Sequence, residues 1–110
     1  MIPHLTPTEL ADDIDSYLLL DVREQDEWDA GHAPQAVHYP MSKMMIEGIE
    51  GIDLSRRFAI ICRSGGRSYQ VAETLVEADV VAINVTGGMQ AWKAEGFDVV
   101  STTGEVGVII

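Results

Sequence analysis

The sequence predicts an α/β fold, a mainly parallel sheet with helices on both faces. Three observations carry that prediction. The runs at 17–22 and 80–85 and the shorter run at 58–61 are almost wholly apolar, as in strands buried on both sides. Segments with helix caps or helical spacing lie between them. Strand and helix signals therefore alternate along the chain, the pattern of parallel sheets with crossover helices.

The elements follow in order. Thr6, Pro7 and Glu9 form a helix start, with Thr6 as N-cap, Pro7 in the first turn and Glu9 closing a capping box; this helix should end near Asp12. The strand at 17–22 carries Asp21 toward its C-terminal end, where open α/β sheets place functional residues. Residues 24–30 read as a short acidic helix stopped by Gly31, with Trp28 packed inward. A turn at 31–34 leads to a short strand at 36–39, ended by Pro40. Met41, Met44, Met45, Ile46, Ile49 and Ile52 predict one or two helical turns over 42–47 and then an irregular loop to 53. The central strand runs over 57–61. Val71, Ala72, Leu75 and Val76 recur at helical spacing, so a helix runs from Gly66 or Arg67 to Ala78. A strand at 80–85, a tight turn at Gly87-Gly88 and a helix at 89–95, stopped by Gly96, complete the pattern. The apolar tail at 99–110 could add a strand, cover the core or meet a partner.

At 110 residues the chain is expected to be one domain spanning 1–110, with neither repeat nor linker. No apolar run reaches the length of a membrane span, and the N-terminus lacks the features of a signal peptide. A single cysteine cannot form an internal disulfide, so a cytoplasmic location is expected. The net charge of −11 argues against nucleic acid or an anionic membrane as partner. Charge is unevenly spread: 12 of the 18 acids lie between residues 9 and 53, and none between 54 and 72. That acid-free stretch holds Arg56, Arg57, Arg63 and Arg67, four of the seven cationic residues. Arg56 and Arg57 read as solvated surface charges.

The stretch surrounds Cys62-Arg63-Ser64-Gly65-Gly66-Arg67-Ser68. A cysteine between a buried strand and a helix N-terminus sits where backbone N–H groups and the helix dipole favour an anion. A free thiol titrates near pH ~8.5, and such surroundings can lower that value by roughly one to five units. Gly65 and Gly66 allow successive N–H groups to turn inward as a nest, and Ser64 and Ser68 can add hydroxyl donors. Arg63 and Arg67 supply positive charge. The residues thus offer a nucleophilic thiolate in an anion-binding loop, suited to covalent transfer.

This loop resembles the active-site loop of single-domain rhodanese-like sulfurtransferases. Three further stretches agree in order and spacing. The first is Asp21-Val22-Arg23-Glu24 with Glu27-Trp28 and Gly31-His32-Ala33-Pro34-Gln35-Ala36. The others are the apolar strand entering Cys62 and Gly87-Gly88-Met89-Gln90-Ala91-Trp92. Together they cover residues 18–96. The resemblance implies a five-stranded parallel sheet flanked by helices. It also implies a two-step reaction in which Cys62 takes sulfur from a small anionic donor such as thiosulfate, becomes a persulfide, and passes the sulfur to cyanide, a thiol or a protein acceptor. On that reading the loop amides hold the persulfide and Arg63 and Arg67 steady the donor.

Other chemistries fit less well. Cysteine phosphatases and arsenate reductases place five residues between cysteine and arginine, whereas four intervene here. One residue spans up to about 3.6 Å, so this cradle is tighter and suits a single sulfur. The nearest acids in sequence, Asp53 and Glu73, lie on other elements. A non-catalytic binding module is usually marked by loss of the cysteine, which is present. Asp21 is placed to hydrogen-bond loop amides or Arg23, supporting the site, and Arg23 and Glu27, four apart, are expected to pair. His32 reads as a turn residue and Trp92 as core, with Gly87-Gly88 beneath the loop. Three scattered histidines and one cysteine do not make a zinc site, and no cofactor is expected. The methionine-rich stretch is expected to fill the core edge; its other use would be as a docking surface for an acceptor.

Overall fold

The computed structural model describes residues 2–49 and 52–110; Met1, Glu50 and Gly51, the last two within the expected irregular loop, lie outside it. The elements are β1 (His4–Leu5), α1 (Pro7–Asp12), β2 (Leu18–Asp21), α2 (Gln25–Ala30), β3 (Val37–His38), α3 (Met41–Glu47), β4 (Phe58–Ile61), α4 (Gly66–Glu77), β5 (Ala82–Val85) and α5 (Gly88–Ala94). The strands form one five-stranded sheet in the order β1-β5-β4-β2-β3. Every pair of neighbours is parallel.

The residue patterns place four of these strands. The fifth, implied only by the resemblance, is β1. It has two residues, too few to show a period, and exists through its pairing of His4 with Asn84 and Leu5 with Val85. α1 begins as expected: the Thr6 side chain accepts from the Glu9 amide and the Glu9 side chain caps the Thr6 amide.

Alternate residues of the central strands face opposite layers, as a period of two requires. Leu20, Phe58, Ile60 and Ala82 pack with Val71, Ala72 and Leu75 of α4, and Met41 and Met44 of α3 close that layer. Leu19, Ala59, Ile61 and Val85 pack with Leu10 of α1 and Met89 and Trp92 of α5. Helices thus cover both faces. All four β4 residues are fully buried, and full burial of a large apolar side chain contributes about 1.5–3 kcal/mol. Trp92 is core, its Nε1–H donating to the Asp98 carbonyl at 2.9 Å.

One expectation needs adjusting, and the alternatives left open for the tail narrow. Trp28 is only half-buried and belongs to neither layer; it stacks on His32, with ring centroids 3.6 Å apart, and on His38 at 4.7 Å. The tail adds no strand to the sheet. Val100 forms isolated antiparallel bridges with His32 and Val106, Val108 N–H donates to the Ala30 carbonyl at 2.9 Å, and Val99 and Ile109 cover the α1/α5 layer. Among the described residues no helix is long and apolar enough to cross a membrane.

Candidate functional site

β2 and β4 run side by side with Asp21 opposite Ile61, so their C-terminal ends share one edge of the sheet. The chain leaves β4 at Cys62 and enters α4 four residues later. Gly65, at φ +114°, occupies the N-cap position in the left-handed region that favours glycine. Gly66 is the first residue of the helix and lacks a positive φ, so one glycine, not two, makes the turn.

That turn aims the Gly65 amide at the thiol, 3.1 Å from Cys62 Sγ. Ser68 Oγ lies 3.2 Å from the same sulfur. Cys62 is only 1% exposed, and burial alone would push its thiol up. The Ser68 hydroxyl and the amides of Ser68, Gly65 and Ser64 outweigh it, holding the thiol below its ordinary value. Ser64 is exposed and contributes its amide rather than its hydroxyl.

The outer side of the loop rests on α5. The Met89 amide donates to the Cys62 carbonyl at 2.8 Å and the Gln90 amide to the Arg63 carbonyl at 3.0 Å. Contact this close requires glycine at 88, where a Cβ would lie 2.4 Å from the Cys62 carbonyl oxygen. The Gly87-Gly88 turn therefore sits against the loop, as expected.

Asn84 is a site neighbour that the sequence reading missed. It is 4% exposed; its Oδ1 accepts from Ser68 Oγ at 2.6 Å, and its Nδ2 lies 3.4 Å from the Gly65 carbonyl. The available signal was its position as the one polar side chain in the run 80–85.

The charged residues follow the expectation for Asp21, which takes the second of its two alternatives, and depart from it for Glu27. Asp21 binds Arg23 and not the loop amides. Its Oδ2 lies 2.8 Å from Arg23 Nη2 and its Oδ1 3.0 Å from Nε, with both side chains fully buried. Arg23 also donates to the carbonyls of Gly31 at 2.7 Å and Glu27 at 3.3 Å. The expected Arg23–Glu27 side-chain pair does not form, because the buried guanidinium takes the buried carboxylate. Glu27 turns to Arg67 instead, with both carboxylate oxygens engaged at 2.6 and 2.8 Å. Hydrogen bonding to Arg67 holds the Glu27 carboxyl below its usual range, and the same bond raises the Arg67 guanidinium. Arg63 reaches the tail and α5: Nε donates to the Ile110 carbonyl at 3.0 Å, and with the Gln90 amide turned to present its oxygen, Nη1 and Nη2 lie 2.9 and 3.2 Å from it. His32 lies outside the turn at Pro34 and Gln35; it forms the bridge to Val100, and its Nδ1 is 2.7 Å from the Trp28 carbonyl.

An all-parallel sheet with a thiol cradled at the end of its central strand is the architecture the resemblance implied. Residues 6–95 match the family model described as the rhodanese-like domain, and the chain belongs to that family. It is 44% identical over 77 residues to YtwF of Bacillus subtilis, covering 70% of this chain and 74% of that one. It is 34% identical over 94 residues to the thiosulfate sulfurtransferase GlpE of Coxiella burnetii, covering 84% and 86%. The crystal structure of a rhodanese-related protein from Thermoplasma volcanium superposes with a TM-score of 0.84 at 31% identity, covering 89% of this chain and 97% of that one.

Proposed function

We propose that this protein is a sulfurtransferase that moves sulfane sulfur from a donor such as thiosulfate to a thiophilic acceptor through a persulfide on Cys62. The observation that carries this reading is the Cys62 sulfur held between the Gly65 amide, which donates to it at 3.1 Å, and the Ser68 hydroxyl, 3.2 Å away and able to turn its proton to a thiolate. Donors so placed favour the thiolate as nucleophile and the persulfide that follows it, since both carry negative charge at sulfur. The family and the named activity of the Coxiella relative support the same chemistry.

In the first step the thiolate attacks the outer sulfur of the donor. The donor's S–S bond breaks, its electron pair leaves with sulfite, and Cys62 becomes a persulfide. In the second step a nucleophile takes that sulfur and the thiolate returns. No proton transfer is needed at either step, in keeping with the structural role of His32. Arg67 steadies the donor's oxygens, and Arg63 joins it on turning from the Ile110 carbonyl and Gln90. Arg67 has five N–H donors, and its contacts with Glu27 engage one on each of two nitrogens. Asp21 and Arg23 act from beneath by fixing the segment that carries Glu27. We read residues 1–110 as one domain and the cytoplasm as its location, with a thiol or a protein as cellular acceptor.

Thiocyanate release from thiosulfate and cyanide tests this reading. The wild-type protein is expected to turn over and Cys62→Ala to show none. Equal turnover by Cys62→Ala would overturn it.

A further inference from the structure

The stretch around the thiol that holds no acid in sequence is not free of acid in space. α2 brings the Glu27 carboxylate onto Arg67, 40 positions away in the chain. The contact is a two-pronged fork in which the side chains of Arg67 and Glu27 are 34% and 14% exposed. Its place is set from behind, because the Glu27 carbonyl accepts from the buried Arg23 and the Glu27 side chain caps the Glu24 amide at 3.2 Å. Arg67 stands beside Ser68, whose hydroxyl is 3.2 Å from Cys62 Sγ, at the start of the helix that follows the thiol loop. The other loop arginine is turned toward Ile110 and Gln90. Arg67 can therefore offer hydrogen bonds to a donor, while its positive charge is matched by a fixed negative one.

We propose that Glu27 sets the charge preference of the site, favouring sulfane donors that carry a single negative charge over dianionic thiosulfate. The inference rests on the sulfur-transfer reading above. The same step serves both donor types: the thiolate forms a bond to the sulfane sulfur, the donor's own sulfur–sulfur bond breaks, and the electron pair leaves on sulfite or, from an arenethiosulfonate, on arenesulfinate. No outside oxidant or reductant enters. The donors differ in how strongly Glu27 repels them.

The test compares wild type with Glu27→Gln, which keeps an acceptor for Arg67 and for the Glu24 amide but removes the charge. The donors are thiosulfate and the monoanion benzenethiosulfonate, and the readout is the ratio of their kcat/KM values. One unit charge acting over about 8 Å changes that ratio about fivefold at an effective dielectric of about 40 and about thirtyfold at about 20. Glu27→Gln is expected to raise the ratio of thiosulfate to benzenethiosulfonate within that range, and Glu27→Ala to move it in the same direction. An unchanged or lowered ratio overturns the inference, including the case in which both donors lose rate equally.

A second arm does not depend on sulfur chemistry. Cys62 is alkylated with anionic iodoacetate and neutral iodoacetamide, and Glu27→Gln should favour iodoacetate by a similar factor. If that ratio rises but neither donor adds sulfur, the sulfur-transfer reading fails and takes the donor preference with it. If both donors add sulfur but neither ratio moves, sulfur transfer stands and the role of Glu27 is overturned.

Discussion

Replacing Ser68 with alanine should raise the pKa of the Cys62 thiol, and replacing Asn84 with alanine should lower it. The Ser68 hydroxyl has one proton and two claimants, Asn84 Oδ1 at 2.6 Å and Cys62 Sγ at 3.2 Å. With the thiol neutral, the S–H can donate to Ser68 while Ser68 donates to Asn84. With the thiolate formed, Ser68 must turn to the sulfur and leave Asn84 without its donor. A hydrogen bond to a charged group contributes about 1.5–3 kcal/mol, and stranding a buried acceptor costs about 1–3 kcal/mol. The Ser68 hydroxyl is the leading cause that lowers the thiol, which places the gain near the top of its range; about 3 less a mid-range cost of about 2 leaves a net of about 1 kcal/mol for the thiolate, a little under one pKa unit at about 1.36 kcal/mol per unit. Asn84→Ala removes the rival acceptor and with it the stranding cost, and should lower the pKa by about 1–2 units. Ser68→Ala combined with Asn84→Ala should behave like Ser68→Ala alone, since Asn84 acts through that hydroxyl. The assay is the rate of iodoacetamide alkylation against pH. Because the folded thiol lies below its ordinary value, the wild-type rate should rise at lower pH than that of an unstructured cysteine peptide. The reasoning is refuted if Ser68→Ala leaves the profile in place, or if Asn84→Ala raises the pKa as far as Ser68→Ala does.

The two loop glycines should respond oppositely to alanine. Gly65→Ala places a side chain at φ +114°, which costs about 1–2 kcal/mol, and it should also slow sulfur loading by moving the amide off the sulfur. Gly66→Ala meets nothing within 4 Å and lacks a positive φ, so it should be neutral or stabilising by about 0.4–1 kcal/mol; urea melts and loading rates check both. Arg23→Ala strands the buried Asp21 carboxylate, a loss of about 3–5 kcal/mol, and should lower the urea midpoint steeply.

What the sequence made legible follows from how local each signal is. The buried strands and the capped first helix announce themselves within a few residues, and β2, β4, β5 and α1 stand where their patterns place them. The turn that carries Cys62 was legible because a cysteine, a glycine and a helix start fall within five residues. The two-residue β1 was not legible, as its pairing with β5 has no local signature. The partner of Arg67 was hidden for the same reason. Glu27 lies 40 positions away and comes into reach only when β2 and β4 pair in register. Spacing of four residues suggested Arg23 as the partner of Glu27, but the buried carboxylate of Asp21 claims that guanidinium. Asn84 carried a faint signal, one polar side chain in an apolar strand, and its meaning emerges only once Ser68 is seen above it.

The measurement that bears most directly on the central claim is the intact mass of the protein after thiosulfate and then after cyanide, with Cys62→Ala treated in parallel. The account predicts a gain of one sulfur atom on wild type alone, lost again on cyanide with thiocyanate released. A wild-type protein that gains no sulfur, or a Cys62→Ala protein that gains it equally, would contradict the account.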